Sequence, residues 1–245
     1  MIKKFEGIVI SVVDYKESSK IINVFTKEDG IVGLVARGAK KAGSKISVGS
    51  DVLSYGYFYT KSKSDSKLYN LVDFDIIDNL KNIRRDIVKL NYAVYLLELS
   101  SQVYKHDNDI DIYKLLIDGI MKINEGFDAR IITNIVELKM LYYLGIKPSI
   151  DSCIGCGSSN DIVTVSSYRG GYLCKNCVND EKILNLKTIK LIRMFYYVDV
   201  SKISKLDISD NIKEEIGMFI DEYYDRYSGL YLKSKTFLNE FSKMQ

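Results

Sequence analysis

At 245 residues and 28.0 kDa, the chain is long enough for one large domain or roughly two to three small ones. With 47% hydrophobic and 27% charged residues it has the composition of a soluble globular protein. No run approaches the roughly 18 apolar residues of a membrane-spanning helix. The basic start, Met1-Ile2-Lys3-Lys4-Phe5-Glu6, leads into no apolar targeting segment, so a cytoplasmic protein is expected. A net charge of +3 is too small to imply a polyanionic partner by itself, so the placement of charge must carry that inference.

The first eighty residues read as short strands: Phe5–Val13, Lys20–Thr26, then an Asp29-Gly30 turn into Ile31–Arg37, followed by Asp51–Thr60 and Lys67–Ile77. Five Gly-bounded strands without helical periodicity suit a small barrel, and the five-stranded candidate is the OB-fold. The basic groups of this part are clustered. Between residues 37 and 67, seven (Arg37, Lys40, Lys41, Lys45, Lys61, Lys63, Lys67) face two acidic ones (Asp51, Asp65). Two loops hold them, 37–45 and 61–67, and the second is expected to be exposed and mobile. Tyr55, Tyr57, Phe58 and Tyr59 lie between, and Tyr57 is a candidate platform on which a base stacks. Aromatic rings beside a cationic groove are how OB-folds hold single strands without reading sequence. The alternative is that the rings pack the barrel and the lysines solvate two loops.

After Asp78 the apolar period becomes helical: Leu90, Ala93, Val94, Leu97 and Val103, then Ile112, Leu115, Leu116, Ile120 and Ile123, then a helix from about Asp128 to Leu144 ended by Gly145 and Pro148. Arg84-Arg85 at the entry either extend the basic path or pair with Asp78, Asp86 or Glu98. His106, the only histidine, reads as part of a loop between helices and excludes the His-Glu-x-x-His and two-histidine metal motifs.

All four cysteines then fall in one pattern, Cys153-x-x-Cys156, seventeen residues, Cys174-x-x-Cys177. Two such knuckles can close a tetrahedron around one zinc ion, and four protein ligands leave no open position for water or substrate, which makes the metal structural. Gly155, Gly157 and Gly170-Gly171 supply the turns. Two disulfides or a redox pair are the alternatives, and nothing else suggests an oxidising compartment. Helical spacing resumes at Leu186, Ile189, Ile192 and Phe195, and again from Ile212 to Tyr227, so the cysteine segment interrupts a helical region. Lys233 and Lys235 add a small positive feature near the end. No Walker loop, nucleophile elbow or two-metal carboxylate cluster is present, and the protein is expected not to be an enzyme and to take no small-molecule substrate.

The order of parts resembles the RecO family of DNA repair and recombination mediators. Gly7–Lys20 with Ile21–Gly30 is similar to its first hairpin, Leu34–Lys41 with Ser44-Lys45 to its basic Gly-Ala segment, Leu144–Cys156 and Gly170–Cys174 to its ribbon, and Leu230–Leu238 to its C-terminal signature. The resemblance implies an α+β protein, with an N-terminal five-stranded OB-fold barrel over 1–80 and an α-helical domain over 81–245 carrying a four-cysteine zinc ribbon at about 151–180. It further implies a non-catalytic activity: binding single- and double-stranded DNA, annealing complementary strands and helping load RecA onto strands coated by single-strand binding protein (SSB). RecR, the SSB C-terminal tail and, indirectly, RecF and RecA would be partners, in a cytoplasmic, nucleoid-associated protein without membrane contact. Expected DNA contacts are Arg37, Lys40, Lys41, Lys45, Lys61, Lys63 and Lys67 with Tyr57, and expected ligands of one structural Zn2+ are Cys153, Cys156, Cys174 and Cys177. The alternative function is a zinc-containing scaffold that binds protein or RNA.

Overall fold

The computed structural model describes residues 2–61 and 68–242. Strands β1 (Ile2–Tyr15), β2 (Ser19–Thr26), β3 (Gly30–Ala36), β4 (Tyr55–Lys61) and β5 (Tyr69–Asp78) close into a barrel in the order β1-β2-β3-β5-β4. β3 and β5 run parallel and the other pairs antiparallel, the strand arrangement of an OB-fold barrel. The period-2 alternation explains the closure. Gly56, Phe58 and Thr60 of β4 are buried, and with Phe5, Ile22, Val24, Leu34 and Leu71 they fill the interior, whereas Tyr57 and Tyr59 stay half-exposed outside. β1 is longer than its apolar run, because its last residues, Asp14 and Tyr15, pair with Lys20 and Ser19 as a ribbon that projects past the barrel end.

The helices are α1 (Lys81–Arg84), α2 (Ile87–Asp107), α3 (Asp111–Glu125), α4 (Ala129–Tyr143), α5 (Leu186–Tyr197), α6 (Asp210–Tyr227) and α7 (Lys233–Ser242). Their starts follow from side-chain caps: Asp86 accepts from the Val88 and Lys89 amides at 2.9 and 3.2 Å, and Asp128 accepts from Ile131 N at 3.1 Å. α4 is buried continuously from Ile131 to Leu138, because α2, α3, α5 and α6 all pack around it. Between α4 and α5 the hairpin β6 (Ile162–Ser166) and β7 (Gly171–Cys174) carries the cysteines.

Barrel and helices share one core. Phe25 meets Tyr104 of α2 at 4.8 Å and Tyr113 of α3 at 5.5 Å between ring centroids, and Ile8, Leu53, Tyr55 and Ile83 join the same apolar cluster. Full burial of a side chain such as Phe25 contributes about 1.5–3 kcal/mol, so this end of the barrel is anchored on the helices and the opposite end is free.

Two expectations are corrected here, and one of two alternatives is excluded for Arg84. His106 lies in the last turn of α2 and not in a loop, although it is exposed. Lys235 is no surface feature: its side chain is 13% exposed and its ammonium meets Asp221 at 2.9 Å, because α7 folds back onto α2. Arg84 takes no carboxylate partner among the described residues but donates to the Asn79 carbonyl at 3.0 Å, while Glu98 caps α7 through the Lys233 and Ser234 amides at 3.1 and 2.8 Å.

Candidate nucleic-acid interface and metal centre

The free end of the barrel carries a groove of about 670 Å³. One wall is the β1–β2 turn, with Tyr15, Lys16 and Ser19. The other is the chain leaving β3, with Arg37, Lys41 and Ser44. Backbone bonds hold the two walls in register: Lys40 N donates to Ser18 O at 3.0 Å and Gly38 N to Ser19 Oγ at 3.3 Å. The loop itself is a series of tight turns, Lys41 N to Gly38 O, Ser44 N to Lys41 O and Ser47 N to Ser44 O, each 3.0–3.1 Å. Ala39, only 2% exposed, plugs the barrel beneath it. The basic side chains therefore project from a fixed backbone. No carboxylate lines the groove among the described residues, so its charged lining, Lys16, Arg37 and Lys41, is positive, while Asp14 and Glu17 stand at the same turn outside the lining.

The structure divides the expected contacts. Arg37 and Lys41 line the groove. Lys40 is exposed on the same loop, but its ammonium is 2.6 Å from Asp14 Oδ2, which removes much of its reach toward an anion. Lys45 is exposed on the loop without lining the groove. Lys61 ends β4 opposite Asn70, itself opposite Val35 of β3, which puts it two strands, about 10 Å, from the base of the loop. Lys63 and Lys67 lie outside the described residues. Tyr57 is not on the groove: it stands on the outer face of β4 opposite Glu6 and Asp75, with Lys4 Nζ 3.6 Å from its ring centroid. Sequence reasoning missed Lys16 and Tyr15. The signal was available, since the turn joining the first two strands is one of the ligand-facing loops of OB-folds.

The four cysteine sulfurs lie within 4.8 Å of one another, with Cys156 Sγ and Cys174 Sγ 3.6 Å apart. A tetrahedral ion with metal–sulfur bonds of about 2.3 Å requires sulfurs about 3.8 Å apart, so the cluster fits such an ion. All four are free thiols rather than disulfides. The Cys174 amide donates to Cys153 Sγ at 3.3 Å. Although burial works against the thiolate, amides from Cys174, Cys156 and Gly155 hold the Cys153 thiol down at about 6. Hydrogen bonding to Cys156 first, and to the other two sulfurs, pushes Cys177 up to about 12, the crowding that a bound dication would relieve. Gly155 is required for approach as well as for the turn, because a Cβ there would lie 3.0 Å from Cys177 Sγ. Arg169, not singled out in the sequence, donates to the Cys177 carbonyl at 3.0 Å and fixes the second knuckle.

Residues 1–80 match the family model described as recombination protein O N terminal, and residues 84–236 match that described as recombination protein O C terminal. The chain belongs to the RecO family. RecO-family relatives match it over nearly their full length. The DNA repair protein RecO of Bacillus pumilus is 38% identical over 250 residues, which cover 100% of this chain and 96% of the relative. That of Bacillus subtilis is 35% identical over 250 residues, covering 100% and 97%. That of Listeria innocua is 35% identical over 247 residues, covering 99% and 96%. No described helix is long and apolar enough to cross a membrane.

Proposed function

We propose that this RecO-family chain is a non-catalytic DNA repair and recombination mediator. It binds single- and double-stranded DNA, anneals complementary strands and helps load RecA onto SSB-coated strands, with RecR and the SSB tail as direct partners and RecF and RecA acting alongside. The observation that carries this reading is the groove at the free barrel end, where Lys16, Arg37 and Lys41 converge and no carboxylate lines the walls. Such a site attracts phosphates by charge, discriminates no base and breaks no bond. Holding two strands in a cationic field screens their repulsion and raises their effective concentration for pairing, and binding of this kind weakens steeply with salt. Lys45 and Lys61 extend the rim, and Lys63 and Lys67 are proposed as further contacts from the sequence alone. Lys40 contributes less, being paired with Asp14. Tyr57 is left outside the interface by its position among Lys4, Glu6 and Asp75.

The same reading assigns residues 1–80 to a DNA-binding barrel and 81–245 to a helical domain with an inserted ribbon. It makes Zn2+ the ion that Cys153, Cys156, Cys174 and Cys177 hold, structural because no position is left open, and places the protein in the cytoplasm at the nucleoid. The test is annealing of complementary oligonucleotides with and without SSB. The expected result is acceleration in both cases. Absence of acceleration even at low salt contradicts the reading.

A further inference from the structure

α5 has an unusual charge pattern. Its twelve residues, Leu186–Tyr197, hold three cations, Lys187, Lys190 and Arg193, and no carboxylate. The apolar positions Ile189, Leu191, Ile192 and Phe195 are buried against the core, so all three cations are exposed on the outward face beside Leu186, Met194 and Tyr197. At 1.5 Å of rise per residue, Lys187 to Arg193 spans about 9 Å, the axial length of two to three stacked nucleotides. Two grooves meet on this face and share Lys190 and Arg193. One, of about 530 Å³, continues past Met194 to Tyr197. The other, of about 630 Å³, runs between α5 and the cysteine ribbon to Lys175.

The acids that face these cations are few. Asp151 takes Arg193 Nε at 3.0 Å, Lys147 Nζ at 4.0 Å and the Tyr197 hydroxyl at 2.7 Å, and Asp161 lines the ribbon groove. Lys175, Lys187 and Lys190 thus stand beside the Arg193–Asp151–Lys147 network without an ion pair among the described residues, while Glu215, which accepts from the Thr188 hydroxyl of α5, pairs with Lys182. Tyr197 is 51% exposed, with the Arg193 guanidinium 5.3 Å from its ring, which places a half-open aromatic plane among the cations.

We infer that the outward face of α5, with Lys175 of the ribbon and Tyr197, is a second binding surface for a single strand of nucleic acid, separate from the barrel groove. Exposed ammonium groups along a shallow channel with one ring suit backbone tracking with occasional stacking. The two surfaces are apart by construction. The barrel is anchored on α2 and α3 at its Phe25 end and carries its groove at the other end, while α5 lies beyond α4. One chain would then hold two strands on two faces. The inference shares with the proposed function only the class of ligand.

A stoichiometric titration with labelled oligothymidylate of about ten nucleotides, the site size of one binding fold, tests it by counting strands per chain. Wild type is expected to take two. The Lys187→Glu/Lys190→Glu variant, which breaks no ion pair of the described residues, is expected to take one, with unchanged thermal unfolding. Lys16→Glu/Lys41→Glu is also expected to take one. Full occupancy of the α5 variant overturns the inference while leaving the barrel groove intact. So does a wild type that takes one strand and whose α5 face captures only an oligoglutamate peptide. A wild type that takes no strand removes the proposed function along with it.

Discussion

Lys40 and Asp14 face each other across 2.6 Å, joining the loop after β3 to the tip of β1. The pair is exposed, so its worth to stability is about 0–1 kcal/mol, and its main effect is on the field at the groove. A lysine held by a carboxylate presents a dipole where its neighbours Lys16 and Lys41 present charge.

Charge reversal should therefore grade by partner. Lys41→Glu is expected to weaken binding of single-stranded DNA strongly, and Lys40→Glu less. Asp14→Asn, which frees Lys40, is expected to tighten it. Anisotropy titrations of the three variants check the order. Equal losses for Lys40→Glu and Lys41→Glu, with no gain for Asp14→Asn, would show that the pair does not matter.

The helical core holds a carboxyl that titrates near neutrality. Glu137 is 4% exposed and accepts from the Tyr95 hydroxyl at 2.5 Å. Burial pushes it up to about 7, against the opposing pull of Lys235, Tyr95 and Arg130, with Asp221 adding to the rise. Because the folded value lies above the unfolded one, the native state binds more protons between about pH 4.5 and 7, and stability falls as pH rises through that window. The span is of order 3 kcal/mol. Denaturant unfolding at several pH values should show this slope, and Glu137→Gln should flatten it. An unchanged slope in the variant assigns the titration elsewhere.

The cysteine cluster should bind about one zinc per chain. Cys156→Ser is expected to lose the metal and to expose the amides of β6 and β7 to hydrogen exchange, because the ion would tie the knuckle at Cys153 and Cys156 to the one at the end of β7, Cys174 and Cys177. DNA binding at the barrel groove should persist. Metal analysis and exchange mass spectrometry decide it. A folded, protected ribbon without metal would count against the assignment.

Gly30 tests the junction of barrel and helices. Its φ is +66°, and a Cβ there would lie 1.9 Å from the Tyr104 hydroxyl. Gly30→Ala is expected to destabilise by about 1–3 kcal/mol, through backbone strain and displacement of Tyr104 from Phe25. Thermal unfolding measures it, and an unshifted midpoint would mean that the turn tolerates a side chain.

These relationships mark how far the sequence could be read. Local signals sufficed where the cause is local. The Asp29-Gly30 turn, the alternation through Phe58 and the spacing of Cys153, Cys156, Cys174 and Cys177 each specify their own geometry. Lys40 was not legible as a paired residue, since Asp14 reaches it only through the pairing of β1, β2 and β3. Lys235 looked solvated because its burial depends on α7 folding back over α2 and on Asp221 of α6. Tyr57 and the basic loop are near in sequence but on different barrel surfaces, a separation set by the register of β4 with β1 and β5. Lys16 was overlooked for the opposite reason: a lone lysine in a short turn carries weight only once Arg37 and Lys41 stand across from it.

The central claim is that positive charge at the free barrel end attracts nucleic acid. Its most direct measurement is the salt dependence of single-stranded DNA affinity for wild type and for Lys16→Glu/Lys41→Glu. A steep inverse dependence is expected for wild type, with the slope reduced by about 1.4 in the variant, the share of two phosphate contacts on a single strand. Identical affinities and slopes for the two proteins would contradict the account.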